Sequence, residues 1–364
     1  MTAKSVDFGS NRPTVLGLGL IALDVVLSEE VSPRYFAGGT CGNVLAILAF
    51  LGWNSVPVAR IGDDRTSHVV RADLERWGTD LSLLGLSPTA KTPIIIQRIR
   101  KDASGIPYHT FSWHCPGCGN HLPGFQPVPA KSIEPVKLQL RKTNVLFVDR
   151  ASPSSVALAR QAIEQDIIVF FEPASISEDR NCRALLECAS ILKYSHDRID
   201  EIETNGPRLL LEVQTMGRGG LRFRSRLGDF GKRWHHLDAH KVSTLVDSSG
   251  AGDWLSAGLI YSVCAEGHKR LFNVSRTRLL NALSLGQALA AWNCGFSGAR
   301  AGMYTDRIRE IRDLVDRYKS RNAAQAPKYV TRPDSWEYSY VCESCKRSPQ
   351  VPGSARDVRS ASTG

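Results

Sequence analysis

The sequence predicts an α/β fold: a largely parallel central sheet covered by helices on both faces. Three observations carry this. Short apolar runs of strand length alternate with stretches of helical periodicity along most of the chain, the pattern of repeated strand–helix units. Residues 145–148 and 167–171 are almost wholly apolar, as befits strands buried on both faces. A length of 364 residues accommodates one large domain with a small accessory element.

Taken in order, residues 15–20 form an apolar run ending in glycines, and 23–27 alternate as a strand does. Residues 43–51 are helical in character, 56–61 strand-like, and 66–77 an amphipathic helix. Residues 93–100 and 108–113 flank a Ser104-Gly105 turn, which makes them a hairpin rather than a strand–helix unit. Buried strands follow at 145–148, 167–171 and 209–215, separated by helices at 154–164 and 181–189. Beyond Asp253 the chain turns mostly helical, through 254–264, 279–292 and 306–321. The stretch 321–364 carries Ser, Arg and Pro with little periodicity and reads as an extension, partly disordered beyond Arg347.

Composition narrows the function classes. Hydrophobic content of 42% and charged content of 23% fit a soluble globular protein with a substantial core. There is no N-terminal signal pattern, and no apolar run is long enough to span a bilayer. A cytoplasmic protein is expected. The formal net charge is +10, with Arg218, Arg222, Arg224, Arg226, Lys232 and Arg233 clustered. A field that draws in ATP, or a solvated basic face, accounts for this better than a nucleic-acid partner, because aromatic–basic RNA motifs are absent.

The most informative segment is Val246-Asp247-Ser248-Ser249-Gly250-Ala251-Gly252-Asp253-Trp254. Small residues leave backbone N–H groups free to approach an anion, and the helix that follows adds a favourable dipole. An Asp beside such an anion hole can take a proton from a hydroxyl while the N–H groups hold charge developing on a phosphoryl group. That pairing points to phosphoryl transfer to an alcohol. A second segment, Gly17-Leu18-Gly19-Leu20-Ile21-Ala22, meets the loose dinucleotide fingerprint. It fails on context, because a strand-like run follows the glycines instead of a helix, with no acid at the required distance.

These segments together resemble the ribokinase-like (PfkB) carbohydrate and nucleoside kinases, whose nucleotide-side signature is D-T-x-G-A-G-D; here Ser248 replaces the Thr and keeps its hydroxyl. Asp24 matches the family's Asp after the first strand. Gly38-Gly39-Thr40-Cys41-Gly42-Asn43-Val44-Leu45-Ala46 matches G-G-x-x-x-N-x-A, and Leu51-Gly52 and Ile61-Gly62-Asp63-Asp64 follow in order. The resemblance covers a kinase domain at 14–320 and implies the family's mostly parallel sheet flanked by helices, with a small β-sheet lid from elements at about 23–37 and 92–125. It implies Asp253 as general base, with the backbone at Gly250, Ala251 and Gly252 as anion hole. Asp24, Gly38, Gly39 and Asn43 would hold a sugar or nucleoside. It places Lys193, Ser195, Thr215, Gly217, Gly220, Asp247 and Asn293 toward ATP and Mg²⁺, with Asp247 helping to position a K⁺ ion. The sequence departs from the family at Ser195 and Arg198, where relatives carry Asn and Glu; Glu201 or Glu203 could substitute. Lid sheets in the family often pair, which implies a homodimer.

Nine cysteines in a chain of this kind argue against a disulfide framework. Cys115-Pro116-Gly117-Cys118 and Cys342-Glu343-Ser344-Cys345 each present two thiols on one turn, the ligand chemistry of a structural Zn²⁺ site. His114 and His121 are alternative ligands, and a redox dithiol at Cys115 and Cys118 is the competing reading. The leading function is thus ATP-dependent phosphorylation of a sugar or nucleoside hydroxyl. The alternatives are a catalytically weakened nucleotide- or sugar-binding regulatory relative, and a nucleic-acid-associated zinc protein.

Overall fold

A computed structural model describes residues 12–29, 32–200, 202, 206–319 and 340–349. Glu201, Glu203 and the stretch beyond Pro349, where disorder is expected, lie outside the described residues.

Thirteen strands are described: β1 (Thr14–Leu18), β2 (Ala22–Ser28), β3 (Arg34–Gly38), β4 (Asn54–Gly62), β5 (Leu84–Ser87), β6 (Ile94–Lys101), β7 (Pro107–Ser112), β8 (Val145–Val148), β9 (Ile168–Phe171), β10 (Ile191–Ser195), β11 (Leu211–Thr215), β12 (Leu221–Ser225) and β13 (Gly231–Leu237). The helices are α1 (Thr40–Phe50), α2 (Arg65–Arg76), α3 (Glu134–Leu140), α4 (Pro153–Glu164), α5 (Arg180–Cys188), α6 (Ala251–Val263), α7 (His268–Leu271), α8 (Arg276–Asn293) and α9 (Arg309–Lys319). Capping fixes several starts. Asp64 accepts from the Ser67 N–H at 2.8 Å ahead of α2. Ser152 caps α4 with Pro153 in its first turn, where a missing N–H costs nothing.

A nine-stranded sheet runs β13-β12-β11-β10-β9-β8-β1-β4-β5, parallel from β11 to β5 and antiparallel at β12 and β13. Its strands divide their side chains between two cores. Val15, Phe147, Phe170 and Ile191 pack with α1, α6, α8 and α9, whereas Leu16, Leu146, Val169 and Leu192 pack with α3, α4 and α5. Successive residues of one strand point to opposite faces, so covering both faces demands the continuous apolar runs seen in the sequence.

A second, four-stranded sheet has the order β3-β2-β6-β7. The predicted hairpin of β6 and β7 holds in register from Ile96 opposite Ser112 to Lys101 opposite Pro107. The β12–β13 hairpin is the main element that the sequence reading did not resolve, and the reason is physical. Its arginines alternate with inward residues Leu221 and Phe223, so it reads as a basic cluster. Arg224 pairs with Glu212 at 2.7 Å, Arg222 bonds Gln214, and both guanidinium groups lie over the Trp234 ring. Two of the six clustered basic residues, Arg222 and Arg224, are therefore engaged within the sheet, whereas Arg218, Lys232 and Arg233 are exposed. No described helix is long and apolar enough to cross a membrane.

Candidate active site

The site gathers at the carboxyl ends of the parallel strands, the usual ligand position in open α/β sheets. The four-stranded sheet contributes Asp24 on β2 and Gly38 at the end of β3. These two lie so close that a Cβ at position 38 would fall 2.0 Å from the Asp24 carboxylate. Asp24 is buried, and its Oδ1 has no hydrogen-bond partner among the described residues. Burial pushes its carboxyl up to about 7, against the pull of Arg300 and the Gly39 N–H.

Asn43, in the first turns of α1, joins this end of the chain to the other. Its Nδ2 donates to Asp253 Oδ2 at 2.7 Å, although the two residues are 210 positions apart. Arg300 holds Asn43 from behind, its Nε donating to Asn43 Oδ1 at 2.9 Å and its Nη2 to Asp73 Oδ2 at 3.0 Å. Arg300 is 1% exposed. A buried guanidinium of this kind persists only when paired and hydrogen-bonded, so the network fixes the Asn43 amide.

Helix α6 begins at Ala251, three residues before the sequence suggests, which places Asp253 in its first turn. Gly250 supplies the left-handed turn into it, with φ of 72°, and a Cβ there would fall 2.3 Å from the Ala299 carbonyl oxygen. Only glycine fits both demands. Among the three expected anion-hole donors, the Ala251 N–H already reaches the Ser248 carbonyl at 3.3 Å. The N–H groups of Gly250, Gly252 and Asp253 have no acceptor among the described residues. The Asp253 carboxyl is pushed up to about 8 by burial and by Glu172, opposed by Lys193, the Asn43 hydrogen bond and Arg198.

Lys193, on β10, is buried and pairs with Glu172. Its Nζ lies 3.2 Å from where a Cβ of residue 252 would stand, beside the anion hole. Glu172 also accepts from Ser256 Oγ on α6. Ser195 ends β10 level with Thr215 on β11. Arg198 is exposed, yet near enough to favour the ionised form of Asp253. Gly217 lies in the turn after β11, and Gly220 packs tightly against the Leu237 carbonyl. Packing thus accounts for Gly220 without a nucleotide.

Two residues expected near ATP serve as braces instead. Asp247 is buried, and its carboxylate accepts from Gln97 Nε2 at 2.6 Å, the Ser249 N–H at 3.0 Å and the Gly298 N–H at 2.9 Å, with His109 Nδ1 at 2.9 Å from its Oδ1. Burial works to raise its carboxyl, but the His109 and Ser249 hydrogen bonds hold it below the ordinary carboxylate value. Gln97 and His109 come from β6 and β7, so Asp247 ties the small sheet to the loop before α6. With its oxygens taken, a potassium ion there would need carbonyl ligands. Asn293 is fully buried and donates to the Ala299 carbonyl at 3.0 Å. It supports the loop packed on Gly250 rather than lying open to an adenine.

Sequence reasoning missed Glu172, Asp149 and Arg300. The first two directly follow β9 and β8, and an acid just past a buried strand was the available signal. Asp149 accepts the Leu20 N–H at 2.9 Å, and its carboxyl is raised by burial. Arg300 has no such mark. The four clustered cysteines form a separate group outside this site.

Asp149, Glu172 and Asp253 interact electrostatically, each raising or being raised by another. Their oxygens are engaged within the protein: Asp149 by the Leu20 N–H and Arg150, Glu172 by Lys193 and Ser256, and Asp253 Oδ2 by Asn43. The description "pfkB family carbohydrate kinase" matches residues 15–306. An ATP-dependent ribose-1-phosphate kinase from Halopiger xanaduensis is 25% identical over 313 residues, covering 81% of this chain and 96% of the relative. Two solved structures share the fold. Ribokinase from Giardia lamblia has a TM-score of 0.64 at 15% identity, covering 85% of this chain and 100% of that one. Fructokinase with bound ATP from Xylella fastidiosa has a TM-score of 0.65 at 16% identity, covering 84% and 98%.

Proposed function

We propose that this chain, which belongs to the pfkB family of carbohydrate kinases, transfers the γ-phosphoryl group of ATP to a sugar or nucleoside hydroxyl held between Asp24, Asn43 and Asp253. One observation carries the reading: the 2.7 Å bond between Asn43 and Asp253, which puts the acceptor-side amide against the candidate base. The unpartnered Oδ1 of Asp24 offers an acceptor for a substrate hydroxyl. Gly38 and Gly39 let the backbone close over it.

Asn43 occupies Oδ2 of Asp253, which leaves Oδ1 for the acceptor proton. As the hydroxyl oxygen bonds to the γ-phosphorus, the bond to the β-phosphate oxygen breaks and ADP departs. The proton remains on Asp253. The N–H groups of Gly250, Gly252 and Asp253, at the positive end of α6, hold the charge on the transferring group. Lys193 and Arg198 add positive charge at the same place. Magnesium bound with ATP would neutralise phosphate charge; Asp149 and Glu172 could meet it only by giving up contacts to Leu20, Arg150, Lys193 and Ser256. Asp247, through Gln97 and His109, keeps the small sheet seated on this loop, which excludes water that would otherwise compete for ATP.

An ATP-consumption screen over pentoses, hexoses, nucleosides and ribose 1-phosphate tests the reading; the last is included because of the Halopiger relative. Asp253→Asn should lower turnover of the best acceptor by about 10²–10⁴-fold while ATP binding, read by thermal stabilisation, persists. Normal turnover by that variant would remove Asp253 as the base. Ser195 and Arg198, which replace the family's Asn and Glu, support a second reading as a weakened, nucleotide-binding regulatory relative. ATP binding without turnover of any acceptor in the screen would favour it. All nine cysteines are unbridged, which supports a reducing compartment such as the cytoplasm.

A further inference from the structure

Apart from the kinase site, the chain brings four thiols to one point. Cys115 and Cys118 follow β7 in an extension of the small sheet, where His114 bridges His121 across the chain and the Leu122 N–H donates to Trp113 at 2.7 Å. Cys342 and Cys345 come from the segment 340–349, on the far side of residues outside the described set. The four Sγ atoms all lie within 4.8 Å of one another. Cys115 and Cys345 are 3.8 Å apart at sulfur, and Cys118 and Cys342 are 3.9 Å apart.

We propose that these four cysteines bind one structural Zn²⁺ ion, which clamps the C-terminal segment to the extension of the small sheet. Zinc–thiolate bonds of about 2.3 Å put tetrahedral S···S edges at about 3.8 Å; the Cys115–Cys345 and Cys118–Cys342 pairs match this, and all four sulfurs lie within 4.8 Å of one another. A disulfide needs sulfurs about 2.05 Å apart, so these pairs are not bonded to each other.

The backbone argues for the metal independently of the sulfur positions. The two C-x-x-C turns, unrelated in their inner residues, adopt the same geometry. The N–H of the residue after the second Cys returns to the carbonyl of the first: Gly119 to Cys115 at 2.9 Å, and Lys346 to Cys342 at 2.8 Å. The N–H of the first Cys reaches the residue five positions on: Cys115 to Asn120 at 2.8 Å, and Cys342 to Arg347 at 3.0 Å. Gly119 and Lys346 occupy matching left-handed positions, with φ of 74° and 54°. A lysine takes up that conformation only against a steric penalty, so a local glycine preference does not explain the second turn. Two equivalent turns bring four thiol sulfurs together, enough to fill a tetrahedral zinc shell with no open position, as in a structural rather than catalytic site. His114 and His121 are not among the clustered ligand atoms; their rings meet each other at 5.2 Å.

The segment 340–349 forms no helix or strand, and its ion pair between Lys91 and Glu343 is exposed and of the kind that contributes little. Buried Tyr340 and Cys342 add a small apolar contact.

The full chain, purified without chelator, should contain one zinc per molecule by elemental analysis. Grown with cobalt, it should show the thiolate-to-cobalt charge-transfer and visible bands of a tetrahedral S₄ site. Cys118→Ser and Cys342→Ser should each lose the metal. Stripping zinc from the wild-type chain should abolish protection of the Lys346–Arg347 bond from trypsin, and re-addition of zinc should restore it. The cobalt spectrum and the trypsin assay use the unmutated chain, so they remain decisive if a variant fails to fold. Absence of stoichiometric metal, disulfides joining Cys115 to Cys345 and Cys118 to Cys342 on peptide mapping, or iron in place of zinc would each overturn the proposal.

Discussion

A carboxylate that must accept a proton near neutral pH gains from a raised pKa, and Asp253 has one for identifiable reasons. Burial comes first and the Glu172 charge second, and both disfavour the ionised form. The free enzyme must lose that proton before Asp253 can act as base. On the proposed mechanism, kcat/KM therefore rises with pH up to about 8 and falls below it. Glu172→Gln removes a like charge, so the acidic limb should move to lower pH whatever happens to the maximal rate. A limb that stays in place or moves upward would take Glu172 out of this role. Asp24 is also raised by burial, with Arg300 rather than Lys193 as the opposing charge.

At the scale of elements, the site depends on how one helix begins. The glycine-rich run before α6 is legible in the sequence as an anion hole, but its register is not. Gly250 turns left-handed against the Ala299 carbonyl, and this starts the helix early enough to put Asp253 in the first turn. Gly250→Ala should therefore displace the N–H groups more than it unfolds the protein. On the proposed mechanism the expected loss is about 10²–10³ in kcat, the range for removing one such donor. Stability should fall by at least about 1–3 kcal/mol from the strained φ, with the contact against the Ala299 carbonyl adding to it, measured by urea denaturation. An unchanged kcat would mean that this turn does not present the phosphate donors. The loop at 298–299 that Gly250 packs on is itself held by Asn293 and Asp247. Residues taken for nucleotide ligands in the sequence therefore act on the site through that loop.

For the whole molecule, the four-stranded sheet has open edges at β3 and β7. An edge strand invites pairing with another chain unless it is blunted. On β7, Tyr108 is 42% exposed and Phe111 51% exposed, and this supports the homodimer suggested by the family resemblance. Phe111→Lys should shift the protein from dimer to monomer by light scattering after size exclusion. A wild-type chain that is already monomeric at micromolar concentration would refute the pairing. The zinc clamp would lie on an extension of the same sheet.

The sequence by itself determined the fold class, because strands buried on both faces require unbroken apolar runs, and Val145–Val148 and Ile168–Phe171 could serve nothing else. It also determined that Gly250 to Asp253 could handle an anion, and that two C-x-x-C turns could supply thiolates, since these capacities are local. Only the tertiary structure decided which groups meet. Asn43 reaches Asp253 across 210 positions, Arg300 reaches Asp73 across 227, and Cys118 reaches Cys342 across 224. Asp247 and Asn293 likewise became braces through partners distant in the chain. Periodicity and turn chemistry are written in neighbouring residues, whereas hydrogen-bond partnership depends on where the sheet's connections return the chain.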